Sequence, residues 1–305
     1  MNKDKFKYII YKIMPIDIYL KFIYRWYHGK QLNLANPKLY TEKLFWLKKF
    51  NGRKENIELI RKCYDKYHVR EYVKDKNLSQ IMPKLLGVYK NPEEINFNDF
   101  PSKYVLKISQ SCGFNFINNG KAPVNDKEIR QLLNKWLMLS KDKRKMEKLY
   151  KEESYYFDGN PYIICEEYLE CADGSPCVDY GVFCFNGVPK FISCDIDAVD
   201  NKGMRKKQYF RNVYDTEWNI LSVDLGRERN ENIKVDRPIN LEKMIQVSKI
   251  LSEDFSFSRV DLYNRDGEIF LGEITFIPQG ASQKIKPEEF DEKFGQWLKI
   301  PIGEK

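Results

Sequence analysis

The sequence predicts an α+β fold in which helices and antiparallel hairpins alternate, and three observations carry that prediction. From about residue 161 the hydrophobic period changes from helical to alternating. Asn186-Gly187 and Asp266-Gly267 each sit between two alternating runs, a strong short-range hairpin signal. Strands and helices do not follow the regular βαβ rhythm that a parallel sheet requires.

The elements follow in order. Phe6, Ile9, Ile10 and Ile13 recur at helical spacing, Pro15 breaks the pattern, and Ile16, Tyr19, Leu20, Ile23 and Tyr27 resume it. A helix begins at Thr41, taken as its N-cap, and runs through Glu42, Leu44, Trp46 and Leu47; another spans Cys63 to Tyr72. Tyr104–Ile108 reads as a strand, followed by the small polar loop Ser109-Gln110-Ser111-Cys112-Gly113. Asp126 caps an amphipathic helix with Ile129, Leu132, Leu133, Trp136 and Leu137 on one face. Strands are expected at Ile163–Leu169, Val178–Phe185 and Pro189–Cys194. A helix follows from Asn240 to about Asp254, then the hairpin of Phe257–Tyr263 and Glu268–Thr275. No internal repeat is present.

Composition narrows the function classes. The 305 residues are 42% hydrophobic and 14% aromatic, enough to bury a core and unlike a disordered chain. No charge-free stretch reaches the ~20 residues of a membrane-spanning helix, and lysines interrupt any apolar leader. A soluble, cytoplasmic protein is expected. Seven cysteines with no C-x-x-C pair point to reduced thiols. With only His28 and His68, a histidine-rich zinc site is excluded, and carboxylates, lysines and arginines should carry the chemistry. Residues 1–30 hold +5 of the net charge of +8. That segment is either an amphipathic element for an anionic membrane surface or a helix pair packed on the main body.

Three segments have residues suited to chemistry. In Arg259-Val260-Asp261-Leu262-Tyr263, strand alternation puts Arg259, Asp261 and Tyr263 on one face. Glu273 and Thr275 share a face on the partner strand, and a hairpin brings Asp261 opposite or diagonal to Glu273. Two carboxylates beside an arginine suit Mg²⁺ and a phosphate, and are equally consistent with a solvated surface hairpin. Lys107 precedes Ser109–Gly113, whose backbone amides either approach phosphate oxygens or make an ordinary turn. Neither a Walker A nor a G-x-G-x-x-G motif occurs. Glu166-Glu167-Tyr168-Leu169 is an apolar strand carrying two carboxylates, which by itself also describes an exposed edge strand.

In combination these segments resemble the TupA-like ATP-grasp proteins, associated with teichuronopeptide and bacterial capsular polysaccharide biosynthesis. The resemblance covers about residues 37–282. It is carried by Thr41-Glu42-Lys43-Leu44 with Trp46, Asp65-Lys66-Tyr67, Val69-Arg70-Glu71-Tyr72-Val73, Val105-Leu106-Lys107 and Glu166–Leu169. Asp179-Tyr180, Phe183–Gly187, Arg259–Tyr263 and Gly272–Phe276 continue it. It implies an ATP-grasp fold, with the nucleotide held between two α+β subdomains after an N-terminal helical region. Boundaries are expected at 1–60 for the helical region, 61–170 for the small lid subdomain and 171–305 for the C-terminal subdomain.

The resemblance implies that Lys66 and Lys107 contact ATP phosphates beneath a lid at Ser109, Ser111, Cys112 and Gly113. Glu166, Glu167, Tyr168 and Leu169 would line the adenine, with Asp179 at the ribose. Asp261 and Glu273 would hold Mg²⁺, joined by Thr275 where many ATP-grasp enzymes have Asn. Arg259 would stabilise the transferred phosphoryl group. The usual basic residue after Asp-Tyr is Gly181 here, with Lys190 as its replacement. Independently of the resemblance, Arg205, Lys206, Lys207 and Arg211 form a basic cluster that either meets an anionic acceptor or is a solvated loop. The implied activity is an ATP- and Mg-dependent carboxylate–amine ligase, acting on a uronic acid or amino-acid substituent of a surface glycan. Its partners are that carboxylate and an amine, not nucleic acid; residues 1–30, read from their own pattern, either make a peripheral membrane contact or pack on the main body. A glycosyltransferase reading rests on Asp195-Ile196-Asp197, a short and common Asp-x-Asp pattern. A kinase of the same pathway and a non-enzymatic membrane-docking module complete the alternatives.

Overall fold

The computed structural model describes residues 3–121, 123–196, 198 and 206–302. Two helices open the chain, α1 (Lys3–Ile13) and α2 (Ile16–His28), followed by α3 (Tyr40–Asn51), α4 (Ile57–Tyr64) and α5 (Val69–Asp75). The strand β1 (Leu85–Tyr89) leads to β2 (Tyr104–Ile108), β3 (Asn115–Asn118), α6 (Asp126–Lys141), α7 (Lys143–Tyr150) and β4 (Ile163–Glu167). The remainder comprises β5 (Val178–Phe185), β6 (Val188–Ile196), β7 (Phe210–Asp215), β8 (Ile220–Leu221), β9 (Asp224–Leu225), α8 (Leu241–Ser252), β10 (Phe257–Arg265), β11 (Glu268–Thr275), β12 (Ile285–Lys286) and α9 (Glu289–Trp297).

Two antiparallel sheets organise the molecule. The smaller has the order β1-β4-β2-β3 and the larger β11-β10-β5-β6-β7-β8. In the small sheet, Tyr104, Leu106, Ile108, Ile163 and Cys165 point inward and bury the Ile129, Leu133 and Leu137 stripe of α6. Alternation sends Val105, Lys107, Ile164 and Glu166 to the other face. In the large sheet, one face of β5 and β10 carries an aromatic core, where Phe183, Phe185 and Phe257 pack with Tyr40, Phe191 and Phe294. Further along that same face the side chains become polar: Asp179, Arg259 and Asp261. Both hairpin turns form as their sequences predict, with Asn186, Gly187, Asp266 and Gly267 all at positive φ.

Several expectations are corrected. The helix expected from Cys63 to Tyr72 is two helices, because Asp65 accepts from the amides of Tyr67 (2.8 Å) and His68 (3.0 Å) and restarts the chain as α5. Thr41 is not an N-cap; it lies inside α3, and its amide and hydroxyl both donate to Asp291. Asn125, not Asp126, caps α6, accepting from the amides of Lys127 and Glu128. Residues 61–170 do not pack as one unit. Cys63, Val69, Tyr72 and Val73 belong to the core of the large sheet, as do Met146, Tyr156 and Phe157. Their apolar faces meet the larger sheet and the first helices, leaving the small core to residues between Ile95 and Cys165.

Candidate active site

The hairpin of β10 and β11 sets the centre of the site. Asp261 lies directly opposite Glu273 and Arg259 opposite Thr275, with the strand register shifting just after Asp261. Arg259 binds Asp261 through both nitrogens, Nε to Oδ1 and Nη2 to Oδ2, each at 2.6 Å, and also donates to Thr275 Oγ1 at 3.1 Å. The Thr275 hydroxyl is 3.3 Å from Asp261 Oδ2 and 3.3 Å from Glu273 Oε1, so three oxygen-bearing side chains converge. Burial lifts the Asp261 carboxyl above its ordinary range, with Arg259 offsetting part of the rise and Glu273 adding to it. Glu273 moves the other way. Partial burial would raise it, but Lys66 and then Arg259 hold it below the ordinary value. Its side chain remains 37% exposed, and Lys66 Nζ lies 3.7 Å from its Oε2.

Gly181 explains how this cluster fits. A Cβ there would stand 2.8 Å from Ser193 Oγ, 3.0 Å from Arg259 Cδ and 3.2 Å from Asp261 Oδ1. The glycine therefore leaves the space that the Arg259–Asp261 pair fills. Lys190 does not replace a basic residue at this point, because its ammonium rests on the Trp297 ring, 5.7 Å from the centroid, at the aromatic end of the sheet.

The small sheet faces this hairpin with its own charges. Lys107 Nζ donates to Glu166 Oε2 at 2.6 Å, and Arg70 from α5 donates to Glu166 Oε1. Burial alone would raise the Glu166 carboxyl; Lys107 and then Arg70 hold it below its ordinary value. Lys107 also helps to lower Glu273, so the charges of the two sheets sense each other. Glu167 points elsewhere, accepting from the Lys84 amide at 2.8 Å and facing Arg265. Tyr168 and Leu169 are half-buried beyond the end of β4. Asp179 is half-buried on the face of Arg259 and contributes to that arginine's raised pKa.

The loop after β2 differs from the expected lid. Ser109, Gln110 and Ser111 are buried, and only Cys112 and Gly113 are exposed. Ser109 Oγ donates to Asp65 Oδ2 (2.9 Å) and accepts from the Tyr162 amide (3.1 Å), while Ser111 Oγ donates to the Ile108 carbonyl. Both hydroxyls are thus committed to holding the loop against the body. The Ser111 carbonyl instead accepts from Lys66 Nζ at 2.6 Å, which fixes that ammonium between the loop and Glu273.

Three contributors were not singled out from sequence as site residues: Arg70, Asp65 and Ser193. Arg70 follows Lys66 by four residues, a spacing that places both on one side of a helical turn and is its only sequence signal. Arg205 and Asp197 lie outside the described residues. Asp195 is held by Arg211, Nε to Oδ1 at 2.6 Å and Nη2 to Oδ2 at 3.0 Å, with both side chains buried. That pair removes Arg211 from the expected basic cluster and commits Asp195 to a structural role, against the Asp-x-Asp reading.

The donor set suits a hard divalent ion. Asp261, Glu273 and Thr275 offer carboxylate and hydroxyl oxygens and no sulfur or imidazole. Among the described residues no group of three or more His, Cys, Asp and Glu gathers, so water or phosphate oxygens would have to complete the shell.

No curated protein matches the chain. Solved structures similar in part include the Bacillus anthracis D-alanine–D-alanine ligase, 14% identical over 71% of this chain and 57% of that one, with a TM-score of 0.40. The Bacillus licheniformis L-amino acid ligase is 10% identical over 72% of this chain and 44% of that one, with a TM-score of 0.44. The Thermotoga maritima phosphoribosylamine–glycine ligase is 14% identical over 72% and 48%, with a TM-score of 0.41. The chain thus spans about half the length of these proteins. The sequence model of the TupA-like ATPgrasp family matches residues 42–299, from α3 to the end of α9 and through every strand of both sheets, and the chain belongs to that family.

Proposed function

We propose that this protein is an ATP- and Mg²⁺-dependent carboxylate–amine ligase. The observation that carries the reading is the charge arrangement between the two sheets. Lys66, Lys107, Arg70 and Arg259 surround Asp261, Glu273 and Glu166. Such an arrangement suits a triphosphate, whose charge needs cations, and a metal ion, which needs hard oxygens. A carboxylate substrate takes the γ-phosphoryl group of ATP, giving an acyl phosphate and ADP. An amine then attacks the acyl carbon, phosphate leaves, and the amine proton passes to solvent or a nearby base. Asp261, Glu273 and Thr275 would hold Mg²⁺, which supplies charge neutralisation on the phosphates. Arg259 and Lys107 present fixed positive charge to the transferring group, stabilisation that needs no reorganisation during the step.

The family supports a uronic acid or amino-acid carboxylate of a surface polysaccharide, or of its precursor, as the acid. ATP supply favours the cytoplasmic side for the reaction. The test is ADP release by the full chain with Mg-ATP, screened against paired acids and amines, with product mass measured. ADP should appear with an amide whose mass equals acid plus amine minus water. Asp261→Asn should reduce turnover by roughly 100-fold or more while the melting transition persists. Sugar transfer from a nucleotide sugar without ADP release, or undiminished turnover in Asp261→Asn, overturns the assignment.

A further inference from the structure

The first two helices bury one face and leave a second apolar face outside. Tyr19, Leu20, Ile23 and Tyr24 of α2 are buried in the main core. Among the described residues thirteen large hydrophobic side chains are exposed, and five of them fall between Ile9 and Trp26. Scattered exposed hydrophobics are normal in proteins, but five on two consecutive helices are a concentration.

The outer residues form two adjoining stripes. On α1, Phe6, Ile9 and Ile13 recur at helical spacing, and Ile13 is 70% exposed. On α2, Ile18, Phe22 and Trp26 do the same, with Trp26 46% exposed. Phe6 joins the stripes, its ring 6.3 Å from Phe22 and 6.2 Å from Trp26. Exposed Lys21 and Arg25 interleave with the α2 stripe. Residues 1–30 carry seven Lys and Arg against two acids, Asp4 and Asp17, and Asp17 is paired with Lys49 at 2.8 Å.

We propose that this outward face of α1 and α2 docks on an anionic lipid bilayer, independently of the reaction catalysed. Isoleucines and an indole at the level of interleaved cations match the boundary between acyl chains and anionic headgroups. No described helix is long and apolar enough to cross a membrane, so the contact is interfacial. The charge argues against a second copy as the occupant, since a two-fold contact would set the same cations against each other. It favours a surface of opposite sign, where each basic residue strengthens binding about fivefold at low salt.

The experiment uses the full chain and vesicles of phosphatidylcholine alone or with about one-third phosphatidylglycerol, at low salt and at high salt, with binding read by co-sedimentation. The protein should pellet with the anionic vesicles only, and release should follow added salt within the range where the Debye length shrinks. Ile13→Glu and Trp26→Glu place charge on exposed positions, and each should weaken binding roughly tenfold with the melting temperature retained. Should either variant melt early, Lys21→Glu with Arg25→Glu tests the same surface through exposed charged side chains, with a loss of roughly tenfold or more. Failure to pellet at low salt, equal pelleting with neutral vesicles, or folded variants within twofold of the parent overturns the proposal. So does a dimer that dissociates on Ile13→Glu, which assigns the face to a second copy.

Discussion

At the scale of single residues, Gly181 decides whether the site can assemble. Its missing side chain is not used for backbone freedom, since its φ is not positive. It is used for space, because Ser193, Arg259 and Asp261 all close on the volume a Cβ would fill. Gly181→Ala overpacks that point and is expected to cost about 1–2 kcal/mol of stability, since the obstructed atoms are side-chain ends that can shift. The same shift moves Arg259 and Asp261 apart, so ATP turnover should fall by roughly tenfold or more, beyond what the stability loss explains. A lowered melting temperature with unchanged turnover would show that the contact is structural only. The pKa directions of the opposed carboxylates fit the same picture. Asp261 is raised by burial and Glu273 is lowered by Lys66 and Arg259, so environment differentiates two chemically similar groups facing each other across a hairpin.

At the scale of elements, α3 and α9 bond to each other through side chains from both helices. Asp291 of α9 accepts from the Thr41 amide (2.9 Å) and hydroxyl (2.8 Å) in the first turn of α3. Lys43 of α3 donates to the carbonyls of Gly295 (2.7 Å) and Leu298 (2.6 Å) at the end of α9. An acid at one helix start and a base at the other helix end each satisfy groups that have no partner within their own helix. Gly295 lets the backbones touch: a Cβ there would stand 2.1 Å from the Lys38 carbonyl oxygen and 2.8 Å from the Tyr40 amide nitrogen. Gly295→Ala should therefore destabilise by about 2 kcal/mol or more, because the obstacle is backbone and cannot rotate away. Asp291→Ala strands two buried donors and should cost about 2–3 kcal/mol in urea unfolding. A loss under 0.5 kcal/mol in both would refute this account of the α3–α9 contact.

For the molecule as a whole, Glu166 links the two cores. Lys107 stands on the small sheet, while Arg70 comes from α5, whose Val69, Tyr72 and Val73 lie in the large core. The folded pKa of Glu166 lies below its ordinary 4.5, so the unfolded chain holds the proton more tightly. Its contribution to stability is full above pH 4.5 and is lost as the pH falls through the folded value. Glu166→Gln should accordingly lower stability at neutral pH and flatten the acid limb of the stability profile below 4.5. Urea unfolding at a series of pH values checks both. Parallel acid limbs for parent and variant would mean that the pair does not join the sheets energetically.

The sequence by itself determined much of the local structure. Alternation and the Asn-Gly and Asp-Gly turns fix both hairpins, because a strand's side-chain period and its turn chemistry are encoded within a few residues. The turn brings Asp261 opposite or diagonal to Glu273, and the register shift after Asp261, which no turn residue announces, sets it directly opposite. The ordered motifs were enough to indicate the family. Tertiary structure decided how the charges are shared. Arg70 reaches Glu166 across 96 positions, Asp291 displaces the expected capping role of Thr41 across 250, and Ser109 turns inward to Asp65. Lys190 is drawn to Trp297 at the far end of the sheet. Each of these depends on which buried donor or acceptor lacked a nearer partner, and burial is a property of the assembled chain, not of any short segment of it.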